Sequence, residues 1–142
     1  MRICTCLFVI LLMIFCPITL AQGGRSRQVV DEDYVLALST ANHFLCAWQL
    51  RKQDEARSLL SHELINRYSA DELSSILSGL SNPHHQSYEV SLGRRLSAKR
   101  YAFDVILYEH YTGTKYHNER PRSSRIVLVR VGPEKWLVDK LP

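Results

Sequence analysis

Residues 44–61 read FLCAWQLRKQDEARSLLS. An apolar pattern at helical spacing runs into Trp48. A polar stretch, Arg51 to Asp54, interrupts it, and a shorter apolar pattern follows. That order predicts a long first helix, a tight polar break and a second helix. Working back from Trp48, the residues Tyr34, Ala37, Leu38, Ala41, Phe44, Leu45 and Trp48 fall within about 100° of one another at helical pitch, one continuous apolar stripe. His43 lies opposite the centre of that stripe and is expected on the surface, and Leu36 and Leu50 fall off it. The helix begins near Asp31, where Asp31, Glu32 and Asp33 oppose the positive end of the helix dipole.

Working forward, a second helix is expected over about Asp54 to Tyr68, with Ala56, Leu59, Leu60, Leu64 and Ile65 as its apolar set. A third starts at Ser69, which with Glu72 forms a capping box, and buries Leu73, Ile76, Leu77 and Leu80. Gly79 and Ser81 to Pro83 stop it. Beyond Pro83 the period changes from helical to alternating. Tyr88, Val90 and Leu92 share one face of a first strand, in which Gly93 marks a bulge or bend. Tyr101, Phe103, Val105 and Leu107 share one face of a second. A long turn is expected from Thr112 to Ser124, then a third strand, Arg125 to Val131, apolar throughout its middle. A tight hairpin at Gly132 to Glu134 leads into the last strand at Trp136. The fold class is α+β, with N-terminal helices packed on an antiparallel sheet of about four strands.

The first residues read as a targeting segment. Arg2, the apolar run Leu7 to Phe15 and the small residues Thr19 and Ala21 form a secretory signal peptide pattern. Cleavage after Ala21 leaves 121 of the 142 residues: a polar, disordered leader over 22–30 and a single domain over 31–142. The expected location is secreted or periplasmic. An uncleaved segment would be the one membrane contact, since Ile3 to Leu20 nearly suffices to span a bilayer. Cys4, Cys6 and Cys16 leave with the signal segment, so Cys46 alone remains, which excludes an internal disulfide and a cysteine-built zinc site. Cys46 is expected to be semi-buried.

Loss of Arg2 lowers the 18 Lys and Arg to 17, against 14 Asp and Glu, a mild net +3. Nine of these cations lie between Arg94 and Arg130, against Asp104, Glu109 and Glu119. The anion-binding candidates are Arg120, Arg122 and Arg125, whose guanidinium groups suit a carboxylate or phosphate. A modest charge on an exported chain argues against nucleic acid. His84 with His85, and His110 with His117, lack the spacing of a metal set, and no phosphate loop or serine elbow is present; no metal or cofactor is expected.

The helix ending in Trp48 before its polar break, together with the closing VGPEKWLVDKLP, resembles the nuclear transport factor 2-like superfamily, the cystatin-like cone fold. The resemblance covers about Asp31 to Leu141. It implies a strongly bent sheet wrapped around the first helix and an apolar cavity, here lined by Tyr34, Leu38, Phe44, Trp48, Tyr88, Tyr101, Phe103 and Trp136. The superfamily includes isomerases, dehydratases, cyclases, transport adaptors and accessory domains. Fold does not choose among them.

Two main functional readings follow, beside a third, an adhesive or scaffold role through Arg120, Arg122 and Arg125. The first is a non-catalytic module that binds a small apolar ligand or a protein partner. It includes a possible homodimer through the open sheet face, on which lie Ile106, Tyr108 and either Ile126 and Leu128 or Val127 and Val129. The second is an acid–base enzyme using Glu109 with Tyr88 or Tyr101. Against the second, no acid in the sequence has a clearly buried position.

Overall fold

The structure is a computed structural model. It describes residues 31–78, 84–110 and 120–142, and at 84–86, 109, 110 and 120 the backbone alone. The signal segment, the leader, Gly79 to Pro83 and most of the turn after β2 lie outside the described residues, as does Leu80 of the third helix's apolar set.

Helix α1 spans Glu32–Gln49 and presents the expected stripe: Ala37, Ala41, Phe44, Leu45 and Ala47 are buried, and Tyr34, Leu38 and Trp48 pack partly buried beside them. Cys46 is exposed rather than semi-buried, because its helical phase carries it past the face that meets the sheet. Asp31 caps the start by accepting from the Tyr34 amide at 3.4 Å. The helix ends without glycine. Lys52 N–H donates to the Ala47 carbonyl at 2.9 Å and Arg51 N–H to that of Trp48 at 3.0 Å, the paired bonds of a Schellman stop. Arg51 occupies the left-handed position at φ 58°. A side chain there costs about 1 kcal/mol that glycine avoids. Arg51→Gly is therefore expected to raise stability by roughly 0.5–1 kcal/mol, read from the urea midpoint at unchanged slope.

The expected second helix is two short helices, α2 (Gln53–Ser58) and α3 (His62–Ile65). Between them Leu60 forms a parallel bridge to Val138. Val138 N–H donates to the Leu59 carbonyl and Ser61 N–H to the Val138 carbonyl, each at 2.8 Å. The backbone groups that a continuous helix would use are spent on the last strand. α4 spans Ala70–Leu77 with the expected capping box at Ser69 and Glu72, and buries Leu73 and Leu77. Trp48 Nε1 donates to the Ile76 carbonyl at 2.8 Å, which fixes α4 to the end of α1.

Strands β1 (His84–Ser97), β2 (Arg100–His110), β3 (Arg120–Arg130) and β4 (Trp136–Lys140) form one antiparallel sheet in the order β1-β2-β3-β4. The fold is thus α+β. β3 begins at Arg120, so Arg120 to Ser124, expected in the turn, are strand. They pair with β2 through Glu109↔Arg120, Leu107↔Arg122 and Val105↔Ser124. Pairing with a partner strand overrides the weak strand propensity of Pro121, Ser123 and Ser124. α1 packs across all four strands, against a face carrying Tyr101, Phe103, Val105, Leu107, Ile126, Leu128 and Val138. Val127 and Val129 lie on the other face, in register with Ala102 and Arg100, so they and not Ile126 and Leu128 accompany Ile106 and Tyr108 there. The β1–β2 register slips at Val90/Gly93, which places the expected bulge.

Candidate functional site

Two clusters of charged side chains lie at the end of the sheet where β2 begins. The first joins the start of α1 to three strands. Asp33 accepts from Arg95 of β1 and from Arg130 of β3, both at 3.1 Å. Arg130 also donates to the carbonyls of Gly132 and Pro133, so the closing hairpin is held by the same guanidinium. Asp31 accepts a short hydrogen bond from the Tyr101 hydroxyl. Tyr101 is buried between the rings of Tyr34 (5.7 Å between centroids) and Trp136 (5.4 Å), with the Arg95 guanidinium 5.3 Å over its face.

Burial and then the hydrogen bond to Asp31 push the Tyr101 hydroxyl up to about 12. The same hydrogen bond, opposed by partial burial and aided by the Tyr34 amide, holds Asp31 below the usual carboxylate range. The stabilising contribution of Tyr101 is whole below about pH 10, where both folded and unfolded chains keep the proton. Between 10 and 12 the unfolded chain ionises first, so the contribution falls with rising pH. The contribution of Asp31 has the opposite sense: it is present above the ordinary aspartate range and is lost as pH falls through its lowered value. In an ultraviolet titration at alkaline pH, one of the seven tyrosines is expected to ionise near 12, and Tyr101→Phe is expected to remove that phase.

The second cluster centres on Asp139, only 3% exposed. Its Oδ1 accepts from Ser61 Oγ at 2.9 Å and lies 3.8 Å from Arg67. Its Oδ2 accepts from Arg100, and its carbonyl from Arg67 at 3.1 Å. Ser61 Oγ also accepts from the Leu64 amide at 3.0 Å, capping α3. One buried carboxylate thus ties α3, β2 and β4 together, while the Arg67 and Arg100 side chains remain 53% and 47% exposed. They line a groove of about 400 Å³ with Glu63, Lys99, Val129 and Val131. Further grooves of about 640 Å³ and 580 Å³ flank the start of α1 and the helix-free sheet face beside Asp104 and Arg125.

The structure places the expected site residues as follows. Phe44, Tyr101, Phe103 and Trp136 are buried in the core, with Tyr34, Leu38, Trp48 and Tyr88 packed against it. Among the described residues Trp136 Nε1 is buried without a hydrogen-bond partner, while its ring packs on Tyr101. Tyr88 donates to the Asn42 carbonyl at 3.2 Å and Tyr101 to Asp31, so each hydroxyl spends its proton there. The side chains of Glu109, Arg120, His84, His85 and His110, and the whole of His117, lie outside the described residues. Arg122 and Arg125 project from opposite faces of β3, opposite Leu107 and Asp104, and Arg125 pairs with Asp104 at 2.6 Å. His43 is on the surface and bonded to Glu55 at 2.7 Å, a contact that holds Glu55 below the usual carboxylate range.

No protein-family model and no curated protein matches the chain. Among solved structures it is similar to a SEC-C motif containing protein from Rhodopseudomonas palustris. The likeness has a TM-score of 0.50 at 12% identity, over 68% of this chain and 69% of that one. It is one of fold alone. It overturns the resemblance to the nuclear transport factor 2-like superfamily, since the fold match leads to a different family. The motifs that carried the resemblance have local causes. Trp48 precedes a Schellman stop, and Gly132 precedes a hairpin whose Val131 N–H bonds Lys135 at 2.9 Å. Any helix packed on a meander needs such features.

Asp139 corrects the expectation that no acid is buried. Its one signal in the sequence is an acid among the apolar residues of WLVDK, in a strand too short to show alternation. Its partners Ser61 and Arg100 are 78 and 39 residues away. Nothing in the spacing of those residues links them.

Proposed function

We propose that the chain is an exported, non-catalytic binding module that holds a small ligand or a protein partner. The observation that supports this best is the groove over Asp139. Its cations are half exposed, yet they are fixed by a buried carboxylate bound to three elements of the fold. Cations that folding holds in place suit recognition of an anionic group. Native mass spectrometry of the protein, purified gently from an exporting host, tests the reading. The expected result is a reproducible extra mass, or a second subunit, that disappears on denaturation. A clean mass for the lone chain at high concentration removes the small ligand and leaves a partner protein, and conversion of a bound molecule into product overturns the non-catalytic reading.

The export component has its own check. N-terminal sequencing of the processed protein is expected to begin at Gln22, and an N-terminus that retains the apolar run would make the segment an anchor. A homodimer through the helix-free sheet face is the second reading, favoured by the half-buried Ile106 and Val129 on that face. Size-exclusion with light scattering that gives a strict monomer at high concentration removes it.

A further inference from the structure

We propose that the groove over Asp139 binds a monocarboxylate with an apolar substituent. This rests on the binding-module reading and narrows it to one ligand chemistry. Arg67 follows α3, Arg100 opens β2, and Lys99 sits in the turn before it. Asp139 meets Arg67 at Oδ1 and Arg100 at Oδ2, so its single charge offsets one of the two. Glu63 lies on the same wall, and Arg130, which also lines the groove, shares Asp33 with Arg95. Lys99 has no side-chain partner among the described residues. Arg67, Lys99, Arg100 and Arg130 against Asp139 and Glu63 leave the groove net positive, which favours an anion, and the planar guanidinium groups suit a flat carboxylate.

The geometry favours capture. An exposed ion pair usually gains little, because two long side chains must be ordered to make it. Here folding has already ordered Arg67 and Arg100 against Asp139, so an incoming carboxylate meets a preformed pair of donors. A guanidinium carries five N–H donors, and among the described residues Arg100 uses one nitrogen on Asp139. A flat carboxylate can therefore take two parallel bonds from the rest. Val131, half exposed, and Val129 flank the cations and suit a short apolar tail. The volume of about 400 Å³ lies within the range of small-molecule sites.

The test is a ¹H–¹⁵N NMR titration of the purified protein with hexanoate, beside acetate and inorganic phosphate at matched ionic strength. Saturable shifts are expected at Lys99, Arg100, Val129 and Val131, tighter with hexanoate than with acetate. Lys99→Gln, in an exposed turn away from the Asp139 contacts, is expected to weaken hexanoate about threefold. Arg67→Gln is expected to weaken it about tenfold. Tighter binding of phosphate than hexanoate overturns the carboxylate assignment. Hexanoate shifts that both variants leave unchanged overturn the site. A carboxylate that binds in the groove and is chemically converted there sustains the site and sinks the non-catalytic module reading. A co-purified ligand that both variants still retain does the reverse.

Discussion

Gly93→Ala is expected to destabilise the domain by about 3 kcal/mol, on the order of 15 °C in Tm. A methyl group at that position would stand 2.3 Å from Cε1 of Phe103 and 2.9 Å from Cε2 of Tyr34. Both rings are held: Phe103 is fully buried, and Tyr34 packs 5.5 Å from it and 5.7 Å from Tyr101. The Tyr34 hydroxyl also accepts from the Gly93 amide at 3.3 Å, so a ring that moves aside gives up that bond. The backbone of β1 must shift instead, at the bulge that joins it to β2. Thermal unfolding with and without the substitution checks this. A Tm change below about 3 °C, too small for real overpacking, would mean that β1 yields freely. Phe103→Leu in the Gly93→Ala background is then expected to restore part of the loss, because it vacates the clashing atoms.

Asp139→Ala carries the second large effect, about 2–3 kcal/mol. Breaking a wholly buried ion pair costs about 3–5 kcal/mol, because a charge is left without a partner in a dry site. Arg67 and Arg100 are half exposed, so water recovers part of that cost. What is lost outright is the anchor on Ser61, the cap of α3, and with it the hold of α3 on β4. Hydrogen exchange is therefore expected to quicken at Leu64 and Ile65 well before the sheet opens. A double-mutant cycle of Asp139→Ala with Arg100→Gln is expected to show coupling above about 1 kcal/mol. Additive effects would mean that Arg100 merely lies over the carboxylate.

Much of the architecture is legible in the chain because it depends on neighbours in sequence. The stripe from Tyr34 to Trp48 marks one side of α1, and the capping box at Ser69 marks the start of α4. The alternation from Tyr101 to Leu107 marks the inward face of β2. Each is a repeat at the period of its own element, so a window of a dozen residues contains it. The stop at Arg51 is legible only as a polar break, since its left-handed turn uses no glycine.

What the chain alone does not contain is contact between distant segments. The second helix splits because Leu60 pairs with Val138. β3 reaches back to Arg120 because β2 offers it a ladder, and this sets Arg122 and Arg125 on opposite faces. Asp139 is buried, and the groove above it exists, because α3, the start of β2 and the end of β4 converge there. Local sequence determined the elements, their order and the α+β class, through patterns of side-chain period and caps. Tertiary structure alone decided where helix gives way to strand, which acid is buried, and which cations meet. Those outcomes depend on backbone groups and charges finding partners tens of residues away.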